Sequence, residues 1–183
     1  MRVTGGSLRG RRLKVPSNEV RPSTDRLREA LFSILQHKVP EARVLDLFAG
    51  AGTLGIEALS RGAAAAVFVD SSRAACRVVE DNLATLGVAG SVRCADVLPF
   101  LALEQGNYDL IFADPPYAKW GREDHAAALL GSENLPALLA QDGLLIVEVE
   151  KERADPPAGC WLLRDRRDYG SSSLLFYERP ASK

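Results

Sequence analysis

The chain has 183 residues, of which 46% are hydrophobic and 26% charged, and a formal net charge of −1. That is the size and make-up of one ordinary globular domain with room for a real core. No apolar run approaches the roughly 20 residues needed to span a bilayer.

Met1 to Val15 reads as a short hairpin, with Gly5-Gly6 and Gly10 as turn signals between two strand-like pieces. Residues 1–28 hold eight basic side chains (Arg2, Arg9, Arg11, Arg12, Lys14, Arg21, Arg26 and Arg28) against Glu19 and Asp25. This is a charge of +6, which leaves −7 for the rest. A basic arm on an acidic body suits contact with phosphates. No apolar segment follows these arginines, so the N-terminus does not read as a secretory signal. Residues 1–20 are therefore expected to form a basic hairpin extension and residues 21–183 the main domain. Ser23, Thr24 and Asp25 offer caps for an amphipathic helix with Leu27, Ala30, Leu31, Ile34 and Leu35 on one side.

From Arg43 strands and helices alternate. Val44 to Phe48, Ala66 to Asp70, Ser91 to Cys94, Tyr108 to Ala113 and Gly143 to Val149 read as strands. Leu54 to Arg61, Arg73 to Leu86 and His125 to Leu139 read as helices. Units of this length imply a doubly wound, mostly parallel sheet covered on both faces. The tail breaks the rhythm: Trp161 to Leu163 and Leu174 to Tyr177 have no helix between them, which predicts a closing antiparallel hairpin. Cys76, Cys94 and Cys160 are odd in number and lack a C-x-x-C pair. They read as thiols in a reducing cytosol, with no metal site expected.

Ligands of such sheets bind beyond the carboxyl ends of the strands, where strand order reverses. The first strand runs into a G-x-G-x-x-G pattern at Gly50, Gly52 and Gly55, and glycine lets a backbone approach its ligand closely. Asp70 ends the second strand, where a carboxylate can accept both hydroxyls of a ribose. In a dinucleotide site this loop holds a pyrophosphate at a helix N-terminus. Here Asp46 lies four residues before the first glycine. A carboxylate there opposes a pyrophosphate and favours a cationic amino-acid moiety, which points to S-adenosylmethionine rather than NAD. Asp96, just past the third strand, either bonds the adenine amine or caps a helix at Val97.

Asp114-Pro115-Pro116-Tyr117 ends the fourth strand. Two prolines fix two φ angles and remove two N–H donors, leaving a stiff corner with carbonyl acceptors, a carboxylate and a ring. Such a corner can hold a flat amine between acceptors while the ring stacks on its face, as for a nucleobase taken out of its stack. The alternative is a rigid turn after a strand.

Asp46 to Gly52 together with Asp114 to Tyr117 resembles the class I S-adenosylmethionine-dependent methyltransferases that act on exocyclic amines. Four further blocks are similar to the bacterial 16S ribosomal RNA guanine-N2 methyltransferase family. They are Gly5-Gly6 with Arg9-Gly10-Arg11, Arg21 to Arg26 with Arg28 to Phe32, Gly55 to Ala63, and Tyr169-Gly170 with Phe176-Tyr177. The resemblance implies a Rossmann-like fold and methylation of one guanine in 16S rRNA, on an assembled or partly assembled small subunit. Monomer is the default for a cytoplasmic enzyme that must meet so large a substrate, and methyl transfer of this kind needs no metal. Asp114, Pro115 and Tyr117 would be catalytic, while Asp46, Phe48, Gly50, Gly52, Asp70 and Asp96 would bind the donor. Arg9, Arg11, Arg12, Arg21, Arg26 and Tyr169 would meet RNA. An adenine-N6 methyltransferase shares the tetrapeptide but normally needs more length for target recognition. A non-enzymatic ribosome assembly factor would keep the fold and the arm.

Overall fold

A computed structural model describes residues 1–15, 25–117 and 124–179. The elements are α1 (Asp25–Ile34), β1 (Arg43–Leu47), α2 (Thr53–Ser60), β2 (Ala65–Asp70), α3 (Arg73–Leu86), β3 (Ser91–Cys94), α4 (Val97–Leu103), β4 (Tyr108–Ala113), α5 (His125–Leu130), α6 (Leu135–Leu138), β5 (Leu139–Glu150), β6 (Leu162–Tyr169) and β7 (Ser172–Glu178). One seven-stranded sheet runs in the order β3-β2-β1-β4-β5-β7-β6. Strands β1 to β5 are parallel, and β7 joins β5 and β6 antiparallel. The doubly wound sheet and its closing hairpin are as the alternation predicts. Strand order reverses between β1 and β4, so the crevice at their carboxyl ends is the place for a ligand.

The strands are buried on both faces, and their alternation sorts the core into two layers. Val44, Phe68, Leu110 and Phe112 pack with α1, α2 and α3, whereas Leu45, Leu47, Val69 and Ile111 pack with the α4, α5 and α6 side. Helix α2 lies hard against β2: a Cβ on Gly55 would stand 2.3 Å from Phe68 Cε1. The third glycine of the sequence pattern is thus there for helix–strand packing.

Four elements differ from the sequence expectation, and the first is β6, which pairs with β7 from Leu162 to Tyr169 where a strand over Trp161 to Leu163 was expected. The single helix expected over 125–139 is two short ones, because α5 stops at Gly131 and Pro136 sits in the first turn of α6, where its missing N–H costs nothing. Strand β5 begins earlier, at Leu139, and crosses Asp142-Gly143 with a register shift against Tyr108 and Leu110. Val97 to Leu103 forms α4 where only a cap was anticipated. The caps at Ser23 and Thr24 lie outside the described residues, as does Arg21. Among the described residues no helix is long and apolar enough to cross a membrane.

The N-terminal segment meets itself at one antiparallel bridge, Arg2 with Arg12, and is fastened to the body over much of its length. Thr4 donates its N–H and its hydroxyl to the buried Glu57 carboxylate at 2.8 and 2.7 Å. The N–H groups of Ser7 and Leu8 reach Ser60, whose hydroxyl donates to the Gly5 carbonyl. Val3 and Leu13 are buried in the α1–α3 layer. The charges of this region divide accordingly. Arg28 is fully buried, paired with Asp25 and donating to the Arg2 carbonyl, while Arg2 pairs with Asp25 and Lys14 with Asp81. Arg9, Arg11, Arg12 and Arg26 remain exposed.

Candidate active site at the carboxyl ends of the strands

Register places the sequence-predicted groups side by side. Leu47, the last residue of β1, is level with Val69 on one side and Ala113 on the other, so Asp70 and Asp114 flank the start of the glycine loop. The loop is held to both neighbours. Ala49 N–H donates to the Val69 carbonyl at 3.0 Å, and Asp114 N–H to the Leu47 carbonyl at 3.4 Å. Gly50 N–H donates to Asp70 Oδ2 at 2.9 Å.

The turn is tight and alternates in hand. Phe48, Gly50 and Gly52 all have positive φ, at 57, 53 and 75°. Glycine adopts this at no steric cost, but Phe48 does not, and a strained residue at a strand end beside a candidate ligand site is the usual place for one. The Phe48 ring packs near His125, with centroids 6.0 Å apart. A Cβ on Gly52 would fall 3.1 Å from Val79 Cγ1, so this glycine also serves close packing.

Asp46 is 2% exposed, and its Oδ2 accepts the Gly55 N–H at 2.8 Å. Burial pushes its pKa up to about 7; the Gly55 hydrogen bond opposes the shift and the nearby Asp70 charge adds to it. A helix N-terminus whose amide is already taken by a carboxylate is poorly disposed to hold a pyrophosphate. The loop from Asp46 to Gly55 also contains no basic residue. Two carboxylates around a glycine turn suit a ligand that carries positive charge and a ribose.

The state of Asp46 gives a pH dependence with a definite sign. Its folded pKa lies above its unfolded value, so stability from this group is fully present below about pH 4 and is lost as pH rises through about 7. A cationic ligand favours the ionised form and is favoured by it. Binding of such a ligand should therefore be about tenfold weaker at pH 6 than at pH 8, from ionisation of one group near pH 7. Calorimetric titration with a cationic nucleoside across this range checks it, and Asp46→Asn should flatten the profile.

Asp70 carries two contacts, from Gly50 N–H and from Ser72 N–H, and remains partly exposed at the strand end. Asp96 occupies the N-cap position of α4 without a side-chain capping bond, so its exposed carboxylate is left facing solvent beyond β3. Pro115 is buried, which locks the corner, and Pro116 is exposed. The Tyr117 and Ser172 hydroxyls are hydrogen-bonded at 3.0 Å. Ser172 opens β7 opposite Tyr169, across a turn with Gly170 at φ 60°. The tip of the closing hairpin thus meets the tetrapeptide, bringing Tyr169 to the same end of the sheet.

Two participants were missed from sequence. Ser172 lies in a run of three serines that offers no distinguishing signal. Asn82 donates to the Ala51 carbonyl inside the glycine loop, and here a signal existed: it is a polar residue on the apolar stripe Val79, Leu83, Leu86.

Comparison with known proteins gives a consistent result. The family described as Conserved hypothetical protein 95 matches residues 1–178. Ribosomal RNA small subunit methyltransferase D of Escherichia coli K12 is 39% identical over 186 residues, covering 99% of this chain and 91% of the relative. A hypothetical protein of Thermus thermophilus superposes with a TM-score of 0.84 at 35% identity, over 97% of this chain and 99% of the other. A 16S rRNA N2 methyltransferase of T. thermophilus, solved with AdoMet and guanosine, has a TM-score of 0.72 at 25% identity. It is matched over 89% of this chain and 44% of its own.

Proposed function

The chain belongs to the family described as Conserved hypothetical protein 95, and from that premise we propose that it transfers a methyl group from S-adenosylmethionine to the exocyclic N2 of a guanine in small-subunit rRNA. The observation that carries the reading is the Asp114-Pro115-Pro116-Tyr117 corner, set in register beside a carboxylate-bearing glycine loop at the switch point of the sheet. The relative from E. coli is named as a small-subunit rRNA methyltransferase, and the T. thermophilus structure, named as an N2 enzyme, was solved with a guanosine.

The residues fit the donor. In this reading Asp70 accepts the ribose hydroxyls, Gly50 and Gly52 let the backbone approach, and Phe48 forms one wall. Asp46 sets the loop and supplies negative charge near the donor's ammonium, and Asp96 is placed to accept from the adenine amine. When bound, the donor supplies an electrophilic methyl on a positively charged sulfur.

The guanine N2 lone pair is delocalised into the ring, so N2 is a poor nucleophile. The Asp114 carboxylate and the Pro115 carbonyl accept its two N–H groups, orienting it for in-line attack and stabilising the positive charge that develops on nitrogen. Tyr117, steadied by Ser172, stacks on the extruded base, an interaction worth about 1–3 kcal/mol on an aromatic platform. The proton leaves after transfer, so no strong base is required of the chain. Exposed Arg9, Arg11, Arg12 and Arg26 reach the RNA backbone, for which guanidinium is well shaped. Arg21 is assigned the same role from its sequence block, and Tyr169 a place at the edge of the base site. The substrate is a small subunit at least partly assembled, met by a monomer in the cytoplasm.

Labelled S-adenosylmethionine incubated with naked 16S rRNA, with unmethylated small subunits and with duplex DNA tests this directly. Incorporation into small subunits and not into DNA is expected, with naked rRNA labelled less. Labelling of DNA, or of nothing despite donor binding, would reject the reading.

A further inference from the structure

Helix α3 buries one polar side chain on its apolar stripe. Asn82 is 2% exposed, among Val79, Leu83 and Leu86. Its amide nitrogen donates to the Ala51 carbonyl at 3.1 Å and to the Lys14 carbonyl at 3.0 Å, while its oxygen accepts the Lys14 N–H at 2.8 Å. An amide in an apolar layer is costly unless its groups are paired, and here both ends of it are spent on backbone. The two backbone stretches it joins are 37 positions apart in sequence (Lys14 to Ala51) and have different duties. Lys14 closes the basic segment two residues after Arg12, and the buried Ala51 sits between the two left-handed glycines of the donor loop.

We propose that Asn82 is a positioning residue that couples the seating of the N-terminal segment to the geometry of the donor loop, so that RNA held by the segment tightens donor binding. This rests on the function proposed above. Gly50 and Gly52 have no side chains with which to hold their turn. Gly52 N–H bonds the Ala49 carbonyl within the loop and Gly50 N–H bonds Asp70, but the intervening carbonyl of Ala51 is oriented by Asn82. Any change in the path of residues 13–15 turns the Asn82 amide plane, which tilts the peptide between Ala51 and Gly52. The coupling is reciprocal by thermodynamic necessity: donor must tighten RNA binding by the same factor.

The test is equilibrium binding of labelled S-adenosylmethionine to the full chain, with and without saturating unmethylated small subunits as the RNA. In the wild-type protein RNA should lower the donor Kd by at least about threefold, a modest coupling of ordinary size. Asn82→Ala should raise the RNA-free donor Kd about tenfold, through loss of buried hydrogen bonds, and abolish the RNA effect. Asn82→Asp keeps volume and the acceptor for Lys14 N–H but sets a carboxylate against two carbonyls, so it should bind donor no better than the alanine variant. Hydrogen exchange of the Ile56 amide, which bonds the Gly52 carbonyl, should slow in wild type when RNA is added, a readout independent of whether any variant folds. A folded Asn82→Ala that keeps its donor Kd within about twofold, or a wild type whose donor affinity and Ile56 exchange ignore RNA, overturns the proposal and leaves the proposed function standing. A wild type that binds no donor overturns both.

Discussion

Asp114→Ala should lower kcat by about 10²–10³, the usual cost of removing one group that stabilises charge developing in the transition state. Donor affinity should stay near wild type, because the residues proposed to hold the donor lie on β1, in the loop after it, at the end of β2 and just past β3, and Asp114 is not among them. The corner itself should survive the change. Pro115 is buried and the backbone N–H of residue 114 is tied to the Leu47 carbonyl, so neither prop depends on the carboxylate. The loss should appear in kcat more than in KM for RNA, since Tyr117 stacking and arm contacts remain. Single-turnover methyl transfer with saturating donor separates the two. Turnover within about threefold of wild type, with donor binding intact, would remove Asp114 from the chemistry.

Neutralising Arg9, Arg11 and Arg12 together should be the second large effect, and it should fall on RNA affinity while leaving RNA-free donor affinity unchanged. All three side chains are exposed, and they project from a segment whose backbone is fixed by Glu57, Ser60 and Asn82. Arg11 also donates to the Thr85 carbonyl at 3.2 Å, so it is anchored beside α3 while facing solvent. Each phosphate deprived of its arginine reduces the slope of log K against log salt by about 0.7–0.9, so the triple variant should lose roughly two units of slope or more. Binding to unmethylated 16S rRNA between low and moderate salt measures it. An unchanged slope would move the RNA footprint elsewhere. Substituting Arg28 is no substitute for this experiment: it is a core guanidinium paired with Asp25, and its removal would read as instability.

Patterning carried most of the architecture. Continuous apolar strands, glycine turns and helical stripes of ordinary length are local signals, and Arg73 to Leu86 is bounded correctly because Ser72 caps it and Gly87 ends it in the left-handed region. What patterning missed was decided by tertiary partners. Leu139 reads as the end of a helix, yet β5 begins there, paired with Tyr108 of β4 ahead of a register shift. Asp46 reads as a direct ligand group from its distance to Gly50; only the fold reveals that it holds the Gly55 amide as well, and that burial shifts its titration. The basic count at the N-terminus overstates the available charge, because sequence cannot tell the buried Arg28 from the exposed Arg26 two positions away. The link from Tyr117 to Ser172 is a contact across 55 positions and has no sequence signature.

The central claim is the atom that receives the methyl group. Small subunits labelled by the wild-type protein, digested to nucleosides and resolved by chromatography with mass detection, should contain N2-methylguanosine and carry no label on adenosine. Label recovered as N6-methyladenosine would contradict the account, because the same tetrapeptide would then be serving the other exocyclic amine.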